Sequence, residues 1–195
     1  MMVSILKYNP SIHLSAKLLK LFKYVQNKMT SKTILVYPDK QLKEVSQPVE
    51  KFDNELVEFI QDLEDTRADG PGAVGIAAPQ IGRPIRAVIV DVSGRKKIKH
   101  HGYLVLINPE IIEWEGLVVG REGCLSVPDY TGNVVRAERI KLNAFDQFGE
   151  QRKFEMEGFE ARAVQHEIDH LDGLLFLDRL VSRHHDLFER KTYKK

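Results

Sequence analysis

Apolar residues recur along this chain with two different periods, and these periods predict two helices with a block of strands between them. Asp53 can cap a helix over about 54–66, in which three residues at helical spacing form one apolar face: Leu56, Ile60 and Leu63. A second helix is predicted over about 159–171, where Gly173 supplies the stop signal.

The stretch between the two predicted helices is typical of strands. Short apolar or alternating runs predict five of them, at 85–92, 104–107, 117–119, 139–145 and 152–156. Phe148-Gly149 predicts a hairpin turn between the last two. Because the strands cluster instead of alternating with helices, we expect an α+β fold with a helix packed on mostly antiparallel strands.

Length, charge and cysteine content narrow the class of protein. The chain has 195 residues and a formal net charge of +1. The length suits one domain, or one domain with an extension, and the near-neutral charge argues against a general nucleic-acid or polyanion binder, which would usually be strongly basic. Cys124 is the only cysteine, so no disulfide forms within the chain. No run of about 18 apolar residues occurs, and we therefore expect no membrane span.

Charge also divides the chain into three parts. Residues 1–32 contain six lysines and no acidic residue, whereas the remainder has more acidic than basic residues. We expect a basic extension at 1–32, a catalytic body at 33–180 and a basic tail or helix at 181–195. Three interpretations of the extension stay open: a targeting presequence, a stretch that precedes the true start of the protein at Met29, and a helix added to the fold. The added helix would have one apolar face, formed by Leu14, Leu18, Leu19 and Phe22.

The second predicted helix carries the clearest chemical signal, His166-Glu167-Ile168-Asp169-His170. Four residues are slightly more than one helical turn, so both imidazoles lie on one face, roughly 6 Å apart along the axis, and one metal ion can bridge them. Glu167 lies beside the pair and can reach a bound water without ligating the metal. Two surface histidines on an amphipathic helix would look the same, so the prediction depends on a third ligand.

Cys124 is the best candidate for that third ligand. His184-His185 lies in a charged tail, and Asp169 and Asp172 are better placed as partners of the ligands or as solvated groups than as ligands. Gly123 allows the backbone before the cysteine to approach another element closely. One thiolate and two imidazoles leave a fourth coordination position open, which is typical of a catalytic metal site.

A third segment, Gly72–Gln80, is rich in small residues that let a ligand approach the backbone. Gln80 can donate an amide N–H toward a developing oxyanion. The segment does not match a phosphate-binding loop, and a tight turn before a strand is the structural alternative.

Taken together, three segments resemble the signature motifs of the peptide deformylase family, in the family's order and at similar spacing. They read Ala73-Val74-Gly75-Ile76-Ala77-Ala78-Pro79-Gln80, Glu122-Gly123-Cys124-Leu125-Ser126 and Gln165-His166-Glu167-Ile168-Asp169-His170. The resemblance covers about residues 33–180 and departs from the family pattern at two positions. Ala73 stands where the family usually has Gly, which adds a methyl group beside the substrate. Thr131 stands where an Arg is common, which removes one contact to the cysteine-bearing loop.

The resemblance implies an α+β fold around a central metal-binding helix, and an enzyme that removes the formyl group from the N-terminal methionine of new proteins. It implies that the metal ligands are Cys124, His166 and His170. It also implies that Glu167 is the general base and acid, and that the oxyanion donors are Gln80 and the backbone N–H of Leu125. The peptide backbone would bind at Val74 and Gly75, and the methionine side chain would lie near Tyr130 and Val164.

The same resemblance implies Fe²⁺ as the active ion, with Zn²⁺, Ni²⁺ or Co²⁺ as substitutes, and nascent N-formylmethionyl peptides as substrates. We expect a bacterial cytoplasmic enzyme, or an organellar one if residues 1–32 are a presequence. The basic tail at 181–195 is either a ribosome contact or a solvated terminal helix. Two alternatives for the function are another metallopeptidase with this helix motif and a catalytically silent peptide-binding relative.

Overall fold

One antiparallel sheet and two longer helices make up the fold in a computed structural model that describes residues 31–190. In chain order the elements are α1 (Asn54–Asp69), β1 (Gly75–Ala77), β2 (Ala87–Asp91), β3 (Tyr103–Cys124), β4 (Val127–Phe145), β5 (Gln151–Glu157), α2 (Gly158–Leu171), α3 (Arg183–Asp186) and β6 (Leu187–Glu189). The candidate leader helix and residues 191–195 lie outside the described residues.

The sheet has the order β1-β2-β3-β4-β5, with every neighbouring pair antiparallel, and β6 adds to β4. Helix α2 contacts β1, β2, β4 and β5, so the strands surround it. The predicted α+β fold is therefore confirmed.

The two predicted helices form close to their expected boundaries. Asp53 caps α1 by accepting a hydrogen bond from the Leu56 N–H at 3.1 Å, and the helix runs three residues beyond the predicted end at 66. Helix α2 ends at Leu171, and Gly173 follows in the left-handed region at φ 71°.

The predicted strands at 104–107 and 117–119 are parts of a single strand, β3, paired with β4 from Ile107↔Phe145 to Cys124↔Val127. Most side chains in the middle of β3, at 110–121, are exposed, whereas both ends of the strand contribute buried residues. Alternation between apolar and polar residues needs one buried face, so within this stretch the pattern predicted only the short apolar run at 117–119.

Two apolar layers fix the position of α2 and α1 against the sheet. Val88 and Val90 of β2 pack in the same cluster as Val164 and Ile168 of α2, whereas Ile89 faces the cluster that contains α1. Burial on both faces explains why β2 was predicted from a continuous apolar run.

The basic tail differs from a free terminal helix. Among its described residues, 181–190, only Arg183–Asp186 is helical, and the chain then pairs as β6 with Tyr130–Gly132 of β4. No helix within residues 31–190 has the length and apolar character needed to cross a membrane.

Candidate metal centre

Helix α2 presents the two histidines side by side, as the four-residue spacing predicts. The ring centroids of His166 and His170 are 5.1 Å apart, and both side chains are buried. Cys124 ends β3 on its buried face, and its Sγ lies 3.2 Å from Nε2 of His170. The ligand atoms of the three residues all lie within 4.8 Å of one another.

This donor set fits a transition-metal ion. Burial opposes ionisation of the Cys124 thiol, but the neighbouring His170 and His166 outweigh burial and hold its pKa well below the usual value. A thiolate with two imidazoles is a ligand set that zinc and ferrous iron accept.

The Glu122 carboxylate lies behind His166 and orients it. Its Oε2 is 2.8 Å from Nδ1 of His166, which leaves Nε2 of that ring for a metal. Arg136 donates to both oxygens of Glu122 at 3.0 Å, and Arg162 donates to Oε1 at 3.0 Å. Burial alone would raise the pKa of Glu122, but the hydrogen bonds with His166 and Arg136 hold it well below the usual value.

Sequence reasoning missed this role of Glu122 and the contribution of Arg136. One signal was available for Glu122, because it precedes Cys124 by two residues and so shares its strand face. Arg136 lies outside the predicted strands, so no pattern singled it out. Asp169, expected as a partner of the ligands, binds Arg136 and Arg179 instead. It therefore supports the ligands through Arg136, not directly.

Glu167 is buried beside the ligands, and its Oε2 has no hydrogen-bond partner within the described part of the chain. Burial raises the pKa of this carboxyl to about 7. Its other oxygen, Oε1, lies so close to Gly75 that a Cβ there would approach it to 2.3 Å. The absence of a side chain at Gly75 therefore creates the room that this carboxylate occupies.

Gln80 is held in one orientation by the backbone. Its Oε1 accepts a hydrogen bond from the Ala77 N–H at 2.8 Å, so its amide nitrogen must point the other way. That nitrogen donates to Oγ of Ser126 at 3.1 Å and lies 3.5 Å from Sγ of Cys124. A fixed N–H donor therefore lies next to the ligand cluster.

A cavity of about 290 Å³ opens onto these groups. Most of the predicted site residues line it: Val74, Gly75, Gln80, Cys124, Leu125, His166 and Glu167. Phe159, Ala163 and Arg162 of α2 line it as well, although the sequence pattern did not single them out.

Three predicted site residues do not line this cavity. His170 lies behind it, in contact with Cys124. Val164 is fully buried in the core between α2 and the sheet. Tyr130 is paired with Glu189 of β6 on β4.

Comparison with known proteins identifies the family. The model of the polypeptide deformylase family matches residues 31–186. A peptide deformylase of Nautilia profundicola is 42% identical over 163 residues, which are 83% of this chain and 90% of that protein. One from Brucella suis is 40% identical over 169 residues, which are 85% of this chain and 94% of that protein.

Solved structures give the same result. A peptide deformylase from Legionella pneumophila has a TM-score of 0.71 at 43% identity, covering 77% of this chain and 86% of that one. A Met-Ala-Ser-bound peptide deformylase from Acinetobacter baumannii has a TM-score of 0.73 at 34% identity, and the match covers 78% of this chain and 100% of that one.

Proposed function

The chain belongs to the polypeptide deformylase family, and on this premise we propose that Cys124, His166 and His170 hold the metal with which it removes the formyl group from N-terminal formylmethionine. The observation that supports this assignment is the buried cluster of one thiol and two imidazoles beside Glu167 and Gln80, at one cavity. These groups come from the three separate segments that match the family motifs.

In this proposal the surrounding residues move one proton and stabilise one developing charge. A metal bound to the three ligands supplies Lewis-acid chemistry, polarising a carbonyl oxygen and lowering the pKa of water. Glu167 accepts a proton as the water oxygen adds to the formyl carbon, and returns it to the methionine nitrogen as the C–N bond breaks. Formate and a free amino terminus result. Gln80 and the Leu125 N–H donate to the oxygen that becomes negatively charged.

The substrate backbone has an open strand edge on which to bind. Beyond Ile107, β3 pairs only with β4 among the described strands, so its other edge is free beside the cavity. An extended peptide can lie between that edge and Val74–Gly75 by adding as a strand. We propose that the methionine side chain of the substrate then enters the cavity near Phe159 and Ala163, which line it. Tyr130 and Val164 do not line the cavity.

The direct test is formate release from N-formyl-Met-Ala-Ser by anaerobically purified, iron-loaded protein. We expect turnover with this peptide and none with N-acetyl-Met-Ala-Ser, because the proposed activity is specific for the formyl group. Cleavage of an internal peptide bond without formate release would instead identify a metallopeptidase. Metal binding without any turnover would identify a silent peptide-binding relative.

For the metal, we propose Fe²⁺ as the native ion, with Zn²⁺, Ni²⁺ or Co²⁺ as substitutes. The thiolate–imidazole donor set supports both iron and zinc, so the donor types do not decide between them. Ferrous iron beside a thiolate is sensitive to oxygen. Metal analysis of protein purified without air should find iron, with activity falling in air as iron is lost. An air-stable zinc protein of full activity would contradict the proposal.

For partners and location, we propose that the enzyme acts on nascent chains in the bacterial cytoplasm and touches the ribosome through its basic tail. Support comes from exposed Arg183 and from the lysines at the chain end. Salt-dependent co-sedimentation with ribosomes tests the contact, and its absence in low salt would discard it. Organellar import of a tagged full-length chain would favour the presequence alternative for residues 1–32.

A further inference from the structure

The C-terminal strand carries an arginine to the edge of the cavity. Strand β6 pairs with β4, and the Arg190 N–H donates to the carbonyl oxygen of Asp129 at 2.7 Å. From there the side chain reaches across to Gly123, where an added Cβ would lie 2.4 Å from Nη2 of Arg190. The guanidinium therefore lies directly on the backbone of the residue before Cys124.

A second arginine lies next to it. Arg121 stacks on the ring of Phe188 of β6, with its Cζ 3.5 Å from the ring centroid. It also donates to Asn133 at 3.0 Å and to Thr131 at 3.2 Å, which are both uncharged partners. Strand β6 thus brings two cations together on the wall of the cavity.

The cations of this wall are not neutralised by carboxylates. Arg190, Arg121 and Arg95, which lies over Phe159, all line the cavity, and none forms an ion pair with a residue among 31–190. Two acidic residues also line it. Glu122 is already bound by Arg136, Arg162 and His166, and Glu167 is the buried proposed base. The cavity therefore presents an excess of positive charge to an incoming peptide.

From this arrangement we propose that Arg190 and Arg121 form a subsite that selects substrates with an acidic second or third residue. The inference rests on the proposed function, because it concerns the peptide downstream of the formylmethionine. A peptide extended along the free edge of β3 passes Gly123 and so passes the Arg190 guanidinium. A carboxylate at that point gains the attraction of two cations that lack an acidic partner within the described residues.

The expected preference is moderate, because Arg121 and Arg190 are both exposed residues. Opposite charges about 4 Å apart in water attract by an amount equivalent to roughly fivefold in affinity. We therefore expect a carboxylate to raise kcat/KM by about three- to tenfold at low ionic strength, mostly through KM. Screening should reduce this preference at about 0.5 M salt.

Matched peptides measure the preference. N-formyl-Met-Ala-Glu-amide and N-formyl-Met-Ala-Gln-amide differ only in charge at the third residue, and N-formyl-Met-Glu-Ala-amide and its Gln counterpart test the second. We expect the Glu/Gln ratio of kcat/KM to exceed three with the native chain at one of the two positions. The ratio should fall toward one in Arg190→Gln and persist in Arg190→Lys, which keeps the charge.

Arg183→Gln is the matched control, because Arg183 lies in the same C-terminal segment but does not line the cavity. Its Glu/Gln ratio should equal that of the native chain. A ratio of one in the native chain at low salt, or an unchanged ratio in Arg190→Gln, would overturn the inference. Turnover of the Gln peptides is the separate readout of the proposed function, so the two ideas can fail independently.

Discussion

Oε2 of Glu122 lies 2.8 Å from Nδ1 of His166, and this contact joins a strand to the helix that carries the metal ligands. Glu122 and Cys124 lie on the same face of β3, so one strand supplies both a ligand and the group that orients another ligand. The carboxylate is itself held by Arg136, which also binds Asp169 of α2. Buried charged groups thus hold the ligand residues in position.

Replacing Glu122 by Gln should therefore weaken metal binding about 10- to 100-fold, as loss of such a supporting partner typically does. Competition with a chromogenic chelator measures the affinity. Glu115→Gln is the control, because Glu115 is exposed, pairs with Arg139 of β4 and lies well away from Glu122 along β3. Equal affinity in Glu122→Gln and native protein would show that His166 does not need this partner.

Glu167→Gln should lower kcat by about 10²- to 10⁴-fold, because the amide cannot accept and return the proton. Metal content should stay at the native level, since Glu167 is not among the three ligands. The formate-release assay and metal analysis on the same sample give both values. Near-native turnover would remove Glu167 from the reaction.

Cys124 is the only thiol of the chain, so its reactivity should indicate whether the metal site is occupied. Chelator-treated protein should react with one equivalent of a thiol reagent, because a thiolate no longer bound to metal is nucleophilic. Reloading with Zn²⁺ should slow the reaction strongly. Equal rates with and without metal would mean that Cys124 is not a ligand.

Gly75→Ala should abolish most activity without unfolding the protein. The added Cβ would approach Oε1 of Glu167 to 2.3 Å and force that side chain to move. Gly94→Ala is a matched control, because a Cβ there meets nothing within 4 Å. Formate release compared with the thermal unfolding midpoint separates the two effects, and an active Gly75→Ala protein would contradict the expectation.

Leu142→Ala should lower the free energy of unfolding by about 2–5 kcal/mol, because Leu142 is fully buried between the sheet and α2 and its removal leaves a cavity. Denaturant unfolding of the metal-free protein measures this value without a contribution from metal binding. Val181→Ala, at an exposed position, should change it little. A loss below 1 kcal/mol for Leu142→Ala would indicate that the core readjusts to fill the space.

Local patterns predicted those features that depend on one element at a time. Helical spacing placed His166, Glu167 and His170 together, and Asp53 and Gly173 marked helix ends that the structure confirms closely. The middle of β3 was predicted only at 117–119, because most of the residues at 110–121 are exposed and follow no period. The basic composition of the tail likewise gave no sign that part of it pairs with β4 as β6.

By itself, then, the sequence determined the reactive groups, their spacing within each segment and the α+β class, because periodicity and end signals act over only a few residues. Tertiary structure alone decided that Cys124 meets His170, 46 positions away, and that Glu122 supports His166 across 44 positions. It also brought Arg190 to Gly123. Such contacts depend on the register of β3 against β4 and on how α2 packs within the sheet. Both the register and the helix packing result from burial of the whole core.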